Sequence, residues 1–190
     1  MLIEARRSRL VLVDLQASLY AAMTPRPPNF LARIQLLVRA ARLLDVPIVA
    51  TRQYPQGLGP LLPELAAALP PPIPVLDKTT FSCCADDAIG AALAGERDQI
   101  LLAGIETHVC ILQTALDLRA RGQAVYVLAD ACASRSPADH DQALWRLAGE
   151  GVRQASVEST VFEWLRTAEH PRFRELIREI RDLPKAGPGA

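Results

Sequence analysis

The chain has 190 residues, half of them hydrophobic, and its 21 Lys+Arg balance 21 Asp+Glu to a formal net charge of zero. That is room for one domain with a full core, and it gives neither the basic footprint of a nucleic-acid binder nor a polybasic patch for a membrane surface. No apolar run approaches the length of a membrane span, and a balanced charge is compatible with self-association.

Arg6, Arg7 and Arg9 lead into Leu10-Val11-Leu12-Val13, but Asp14 ends the apolar run after four residues, so no signal-peptide pattern forms. Residues 9–13 read as a short buried strand that delivers Asp14 at its carboxyl end. A loop or short helix follows over 15–23, and Pro25, Pro27 and Pro28 break the chain. Asn29 is the expected N-cap of a helix running to 44, with Ile34, Leu37, Val38, Ala41 and Leu44 on one face. Residues 46–50 form the next strand, ending at Thr51-Arg52-Gln53-Tyr54-Pro55. The stretch 56–74 is rich in Pro and Gly and carries one short helix over 63–68; Pro70-Pro71-Pro72 with Pro74 makes a stiff connector. A brief strand at 75–76 presents Asp77-Lys78-Thr79-Thr80-Phe81. Residues 85–94 are helical, with Asp86 and Asp87 in the first turn and Gly95 past the end.

The run Gln99-Ile100-Leu101-Leu102-Ala103 is a buried strand that Gly104 breaks. Thr107 caps a helix whose apolar stripe is Ile111, Leu112, Ala115, Leu116 and Leu118, ended by Arg121-Gly122. Residues 124–129 are a strand ending in Asp130, Ser136 or Asp139 caps a helix to 147, and Gly149 and Gly151 close it. A last strand over 152–157 is followed by Ser159 as a cap, a helix over 161–167 and an amphipathic helix over 173–182. This alternation predicts an α/β fold: a three-layer α/β/α sandwich on a mainly parallel, Rossmann-like sheet of five or six strands. It forms a single domain over 1–183, with 184–190 a flexible tail.

Asp14, Lys78 and Cys110 each fall just after a different expected strand, and in a parallel sheet those ends share one edge. A carboxylate there can take a thiol proton, an ammonium can stabilise negative charge, and the sulfur can attack a carbonyl carbon. Cys110 in the first turn of a helix also feels the positive end of the dipole, which favours thiolate. Each residue has a plainer reading: a cysteine as core, an aspartate as a loop residue, a lysine as a solvated charge.

These sites and their surroundings resemble the isochorismatase-like cysteine hydrolases, a family that includes nicotinamidases. The matching pieces are Leu12-Val13-Asp14-Leu15-Gln16, Asp77-Lys78-Thr79-Thr80-Phe81-Ser82 and Gly104-Ile105-Glu106-Thr107-His108-Val109-Cys110, with further likeness around residues 112–118 and 129–135. The resemblance implies an Asp14–Lys78–Cys110 triad and a cis peptide at Ile105–Glu106. It also implies an oxyanion hole from the backbone N–H groups of Glu106 and Cys110. The activity implied is cleavage of an amide or ester of a small soluble substrate through a thioester, by a homodimer or larger homo-oligomer. Metal-dependent nicotinamidases carry Asp-x-His after the second strand, whereas here that segment is Thr51-Arg52-Gln53-Tyr54-Pro55, and no His precedes His108. No metal and no other cofactor are therefore expected. Isochorismatases that cleave a vinyl ether lack the nucleophilic cysteine, so Cys110 points to carbonyl hydrolysis. The stretch Gln53-Tyr54-Pro55-Gln56-Gly57-Leu58-Gly59 resembles the subgroup called isochorismatase domain-containing proteins.

Leu19, Tyr54 and Phe81 are candidates for the substrate pocket, although an apolar residue near a strand end is core by default. Cys83, Cys84 and Cys132 show no C-x-x-C spacing and read as reduced structural thiols, which implies a cytoplasmic protein. His108, two residues before Cys110, points away from it on a helix and suits a surface or interface. Competing readings are a small-molecule-binding or interaction protein that retains the fold without catalysis, and an aspartate-nucleophile phosphatase. The phosphatase would need a second Asp where Gln16 stands.

Overall fold

The computed structural model describes residues 1–23, 26–69 and 71–183. The expected tail at 184–190 and the breaks at Pro25 and Pro70 lie outside the described residues. Six strands form one sheet in the order β3-β2-β1-β4-β5-β6, and every pairing is parallel. They are β1 (Ser8–Val13), β2 (Ile48–Gln53), β3 (Val75–Lys78), β4 (Gln99–Ile105), β5 (Ala124–Ala133) and β6 (Arg153–Ala155). The chain winds outward from β1 to β3, then restarts at β4 on the other side of β1. The β1/β4 boundary is thus the switch point of the sheet, where side chains at the carboxyl ends border a crevice.

Strand alternation sorts the core into two layers. Leu10 and Leu12 of β1 face one cluster, with α2 (Phe30–Leu43), α4 (Pro63–Ala68), α8 (Val157–Leu165) and α9 (Phe173–Asp182) above it. Val11 and Val13 face the other, covered by α5 (Asp87–Leu93), α6 (Leu112–Ala120) and α7 (Pro137–Gly149). Two short helices, α1 (Ala17–Ala22) and α3 (Pro55–Leu58), stand at the carboxyl edge after β1 and β2.

Several expected boundaries move, each for a local reason. Gly104 does not break its strand: β4 runs through it to Ile105, because Gly104 still pairs with Val13. It takes φ +132°, and a Cβ there would lie 2.1 Å from the Val13 carbonyl oxygen, so a glycine is what lets β4 approach β1. Strands β2 and β3 reach Gln53 and Lys78, further than their apolar residues run, because polar residues continue the ladder at Arg52↔Asp77 and Gln53↔Lys78. Strand β5 passes Asp130 and resumes pairing after a bulge, with Gly104 opposite Cys132. The last strand is shorter than expected and α8 begins at Val157. Ser156 is its cap, in a reciprocal capping box with Ser159, so Ser159 stands at N3 and not at the cap. Ser136 caps α7 by accepting the Asp139 N–H, and Asp86 caps α5 by accepting from Ala88 and Ile89.

Candidate functional site

Four adjacent strand ends build one polar cluster at the carboxyl edge of the sheet. In spatial order they carry Lys78 (β3), Gln53 (β2), Asp14 (after β1) and Cys110 (after β4). Asp14 takes a left-handed backbone, φ 53°, as the chain leaves β1. Its side chain and that of Lys78 are fully buried, and Lys78 Nζ lies 2.7 Å from Asp14 Oδ2. Thr51 Oγ1 donates to the other carboxylate oxygen at 2.7 Å. The ammonium also donates to Gln53 Oε1 at 2.5 Å and meets the carbonyl oxygens of Thr80 and Phe81 at 3.2 and 3.3 Å. Its fifth neighbour is Cys110 Sγ at 3.6 Å. The structure therefore brings Asp14, Lys78 and Cys110 together, with Cys110 retaining 6 % exposure.

The turn that carries Cys110 differs from the expected α-helical start. Thr107–Ile111 is a π turn that runs into α6. The Glu106 carbonyl accepts from the Val109 and Ile111 amides, both at 3.2 Å, and so skips the Cys110 N–H between them. The Ile105–Glu106 peptide is cis. Thr107 does not cap the helix; Glu106 holds that position, and Thr107 Oγ1 is bonded to His140 Nδ1 of α7 at 2.9 Å. His108 is half-buried and bonded to Ser134 Oγ through Nδ1 at 2.9 Å. The Glu106 carboxylate accepts from the Arg135 backbone N–H at 3.1 Å, with the Arg135 side chain at 3.4 Å.

Electrostatics correct one sequence expectation. Cys110 is not pre-ionised: burial first, and the Asp14 charge second, push its thiol up to about 12, against the opposing pull of Lys78. Burial works against the Lys78 ammonium, but Asp14 and then Cys110 outweigh it and hold its pKa above the ordinary lysine value. The dipole and lysine arguments for a resting thiolate fail because burial of the thiol outweighs them and Asp14 already takes up the lysine's charge.

The three candidate pocket residues are placed differently. Tyr54 and Phe81 are both 53 % exposed and both tied by backbone to Lys78: the Tyr54 N–H donates to the Lys78 carbonyl at 2.8 Å, and Phe81 lends its carbonyl to Nζ. Leu19 leans on the core beneath α1. Sequence reasoning missed Thr51, Gln53 and Gln16. Gln16 Oε1 accepts the Gln53 N–H at 2.7 Å, and Gln16 Nε2 donates to the carbonyls of Gln53 and Gly59 at 3.0 and 2.7 Å. Gln53 Nε2 in turn donates to Thr79 O at 2.9 Å. The signal was available, since Gln53 obeys the same strand-end rule that picked out Lys78. Its segment, compared above with the Asp-x-His of metal-dependent relatives, puts Gln53 on Lys78.

A wholly parallel α/β sandwich with a buried Asp–Lys–Cys constellation at its switch point is the class this fold and site define. Within that class the chain belongs to the isochorismatase family, whose domain model matches residues 8–159. It is 42% identical over 183 residues to mouse (Mus musculus) isochorismatase domain-containing protein 2A, covering 95% of this chain and 86% of the relative. The structure of MAR1 ribonuclease from Caenorhabditis elegans superposes with a TM-score of 0.91 at 34% identity, covering 100% of this chain and 98% of that one. YcaC from Escherichia coli, described as an octameric hydrolase of unknown specificity, shares the fold (TM-score 0.85, 23% identity, 97% and 98% coverage). Among the described residues no helix is long and apolar enough to cross a membrane.

Proposed function

We propose that this protein is a cysteine hydrolase that cleaves an amide or ester bond of a small soluble substrate through a thioester on Cys110. The observation that carries the reading is the line of contacts from Asp14 Oδ2 to Lys78 Nζ at 2.7 Å and on to Cys110 Sγ at 3.6 Å. In the resting site Asp14 and Lys78 are the ion pair and the sulfur holds its proton. As Sγ bonds to the carbonyl carbon, its proton passes to Asp14. Asp14 is then neutral, and the Lys78 ammonium, still beside the sulfur, is balanced by the negative charge that forms on the carbonyl oxygen. The carbonyl oxygen collects the electron pair and accepts from the N–H groups of Glu106 and Cys110. The Glu106 carbonyl, which bonds the Val109 and Ile111 amides and not that of Cys110, supports that role. When the tetrahedral species collapses, the C–N or C–O bond breaks and protonated Asp14 supplies the leaving group's proton. Water then loses a proton to Asp14, attacks the thioester and releases the acid and the Cys110 thiol.

We assign Tyr54 and Phe81, exposed aromatics whose backbones bond to Lys78, to the mouth of the pocket, together with Leu19. Trp145, 73 % exposed on α7, and Phe162, 41 % exposed on α8, support assembly as a homo-oligomer. The proposal needs no metal or cofactor. The test is an amide and ester panel on wild type and Cys110→Ala, with ammonia and acid both quantified and the acyl adduct sought by mass spectrometry. Wild type should turn over and carry the adduct on Cys110; the variant should fold and do neither. RNA is run beside the panel, because the C. elegans relative is called a ribonuclease. A balanced net charge gives this chain no general attraction for a polyanion. Turnover that survives Cys110→Ala would overturn the mechanism, and no turnover on any amide or ester would favour the binding-protein reading.

A further inference from the structure

At the opposite edge of the sheet Arg97 holds the carbonyl of Ser8, the residue before Arg9, and among the described residues neither arginine has an ion-pair partner. Arg9 is the second residue of β1, level with Ile100 of β4, on the face that Val11 and Val13 continue into the core. Among the described residues its guanidinium makes no hydrogen bond and no ion pair, and its Nε is buried without a partner. This sets it apart from Arg7, Arg33 and Arg52, each of which holds a carboxylate. Its neighbour Arg97 is pinned, but by neutral acceptors alone: Nη1 donates to the carbonyls of Ala5 and Ser8 at 2.7 and 2.9 Å, and Nη2 to that of Asp45 at 3.1 Å. The acids nearby do not serve the pair. Asp98 is held by Arg7 through two bonds at 2.8 and 2.5 Å, and Asp45 contributes its backbone. Burial, and after it the charge of Arg97, hold the Arg9 guanidinium below its ordinary value, and no carboxylate offsets either. Gly95, at φ +119°, turns the chain beside this spot; a Cβ there would lie 3.6 Å from Arg9 Nη2, so the bare glycine leaves the guanidinium uncovered.

Two like charges, one fixed in place and one with every donor free, have the chemistry of an oxyanion site. A planar guanidinium fork matches the spacing of two phosphoryl oxygens, and an anion between the two groups would turn their repulsion into two charge-assisted contacts. We propose that Arg9 and Arg97 form a binding site for a phosphoryl oxyanion, either inorganic phosphate or the phosphoryl group of a small ester, at the amino-terminal edge of the sheet and remote from Cys110. Nothing in this proposal depends on the hydrolase reading. Because an anion that binds the folded state alone stabilises it, occupancy is visible as stability.

The test is thermal melting of the full chain against inorganic phosphate and, separately, glycerol 3-phosphate, with chloride holding ionic strength constant. Wild type should show a saturable rise in melting temperature, and whichever anion gives the lower midpoint concentration identifies the source. Arg9→Gln should lose the saturable response. Without phosphate it should melt no lower than wild type, because Arg9 gives up no bond and Arg97 loses a like charge. Arg9→Lys, which keeps the charge but not the fork, should respond at higher concentration than wild type. An equal response in wild type and Arg9→Gln, or no saturation in wild type with either anion, would overturn the site.

Discussion

The resting protonation of Cys110 makes Asp14 the residue whose replacement is most informative. Asp14 raises the thiol while also serving as its base in the proposed cycle. Asp14→Asn removes the negative charge and leaves the Lys78 ammonium facing the sulfur. We expect the thiolate absorbance to titrate at least one pH unit below the wild-type value of about 12, while turnover disappears. A more acidic but inactive cysteine would separate charge activation from proton transfer; an unmoved or higher titration would contradict the arrangement. The same pair predicts non-additive stability. Lys78→Met alone strands a buried carboxylate and should cost ~3–5 kcal/mol in urea unfolding. The double variant Asp14→Asn/Lys78→Met should cost clearly less than the sum of the singles, because neither charge is then left alone.

At the scale of elements, what the sequence makes legible is what local chemistry decides. Apolar runs locate β1, β2 and β4, and the helix over Phe173–Asp182 falls where its pattern places it. The strands' polar continuations were not legible, since Gln53 and Lys78 join the sheet by pairing with each other and carry no hydrophobic signal. The π turn was equally hidden: Thr107 looks like a cap, but its hydroxyl is engaged by His140, thirty-three residues away. Gly104 shows how a breaker by composition becomes a requirement by packing. Gly104→Ala should disrupt the β1–β4 pairing, at more than ~3 kcal/mol or by preventing folding, since the methyl group would enter the Val13 backbone at 2.1 Å. Gly57→Ala is a gentler probe of the pocket mouth. Its Cβ would sit 2.3 Å from the Tyr54 ring, so the ring must move, and KM should rise with stability little changed. A KM that stays put would remove Tyr54 from the mouth.

Across the whole molecule, the convergence of Asp14, Lys78 and Cys110 was readable because a parallel sheet sends all its carboxyl ends to one edge, whatever the distance along the chain. The environment of that edge was not readable, and it reversed the sign of the thiol's shift. Burial does the same for the other cysteines and gives the fold a pH signature. It pushes Cys83 to about 11 and Cys132 to about 12. An unfolded thiol releases its proton at roughly 8.5. Between these values the unfolded chain binds fewer protons than the native one, so stability falls as pH rises. The slope is ~1.4 kcal/mol per pH unit for each retained proton. The raised pKa of Lys78 acts in the same sense at the top of the window. Urea unfolding should therefore show a stability that is level through neutrality and declines steeply from about pH 9. Cys132→Ala, whose sulfur sits wholly inside the core, should start lower at neutral pH because of the cavity, yet decline by about one proton less per pH unit. Parallel curves for the two proteins would mean that Cys132 is ionised in the fold as readily as in water. The dry interior would then be wetter than its 0 % exposure indicates.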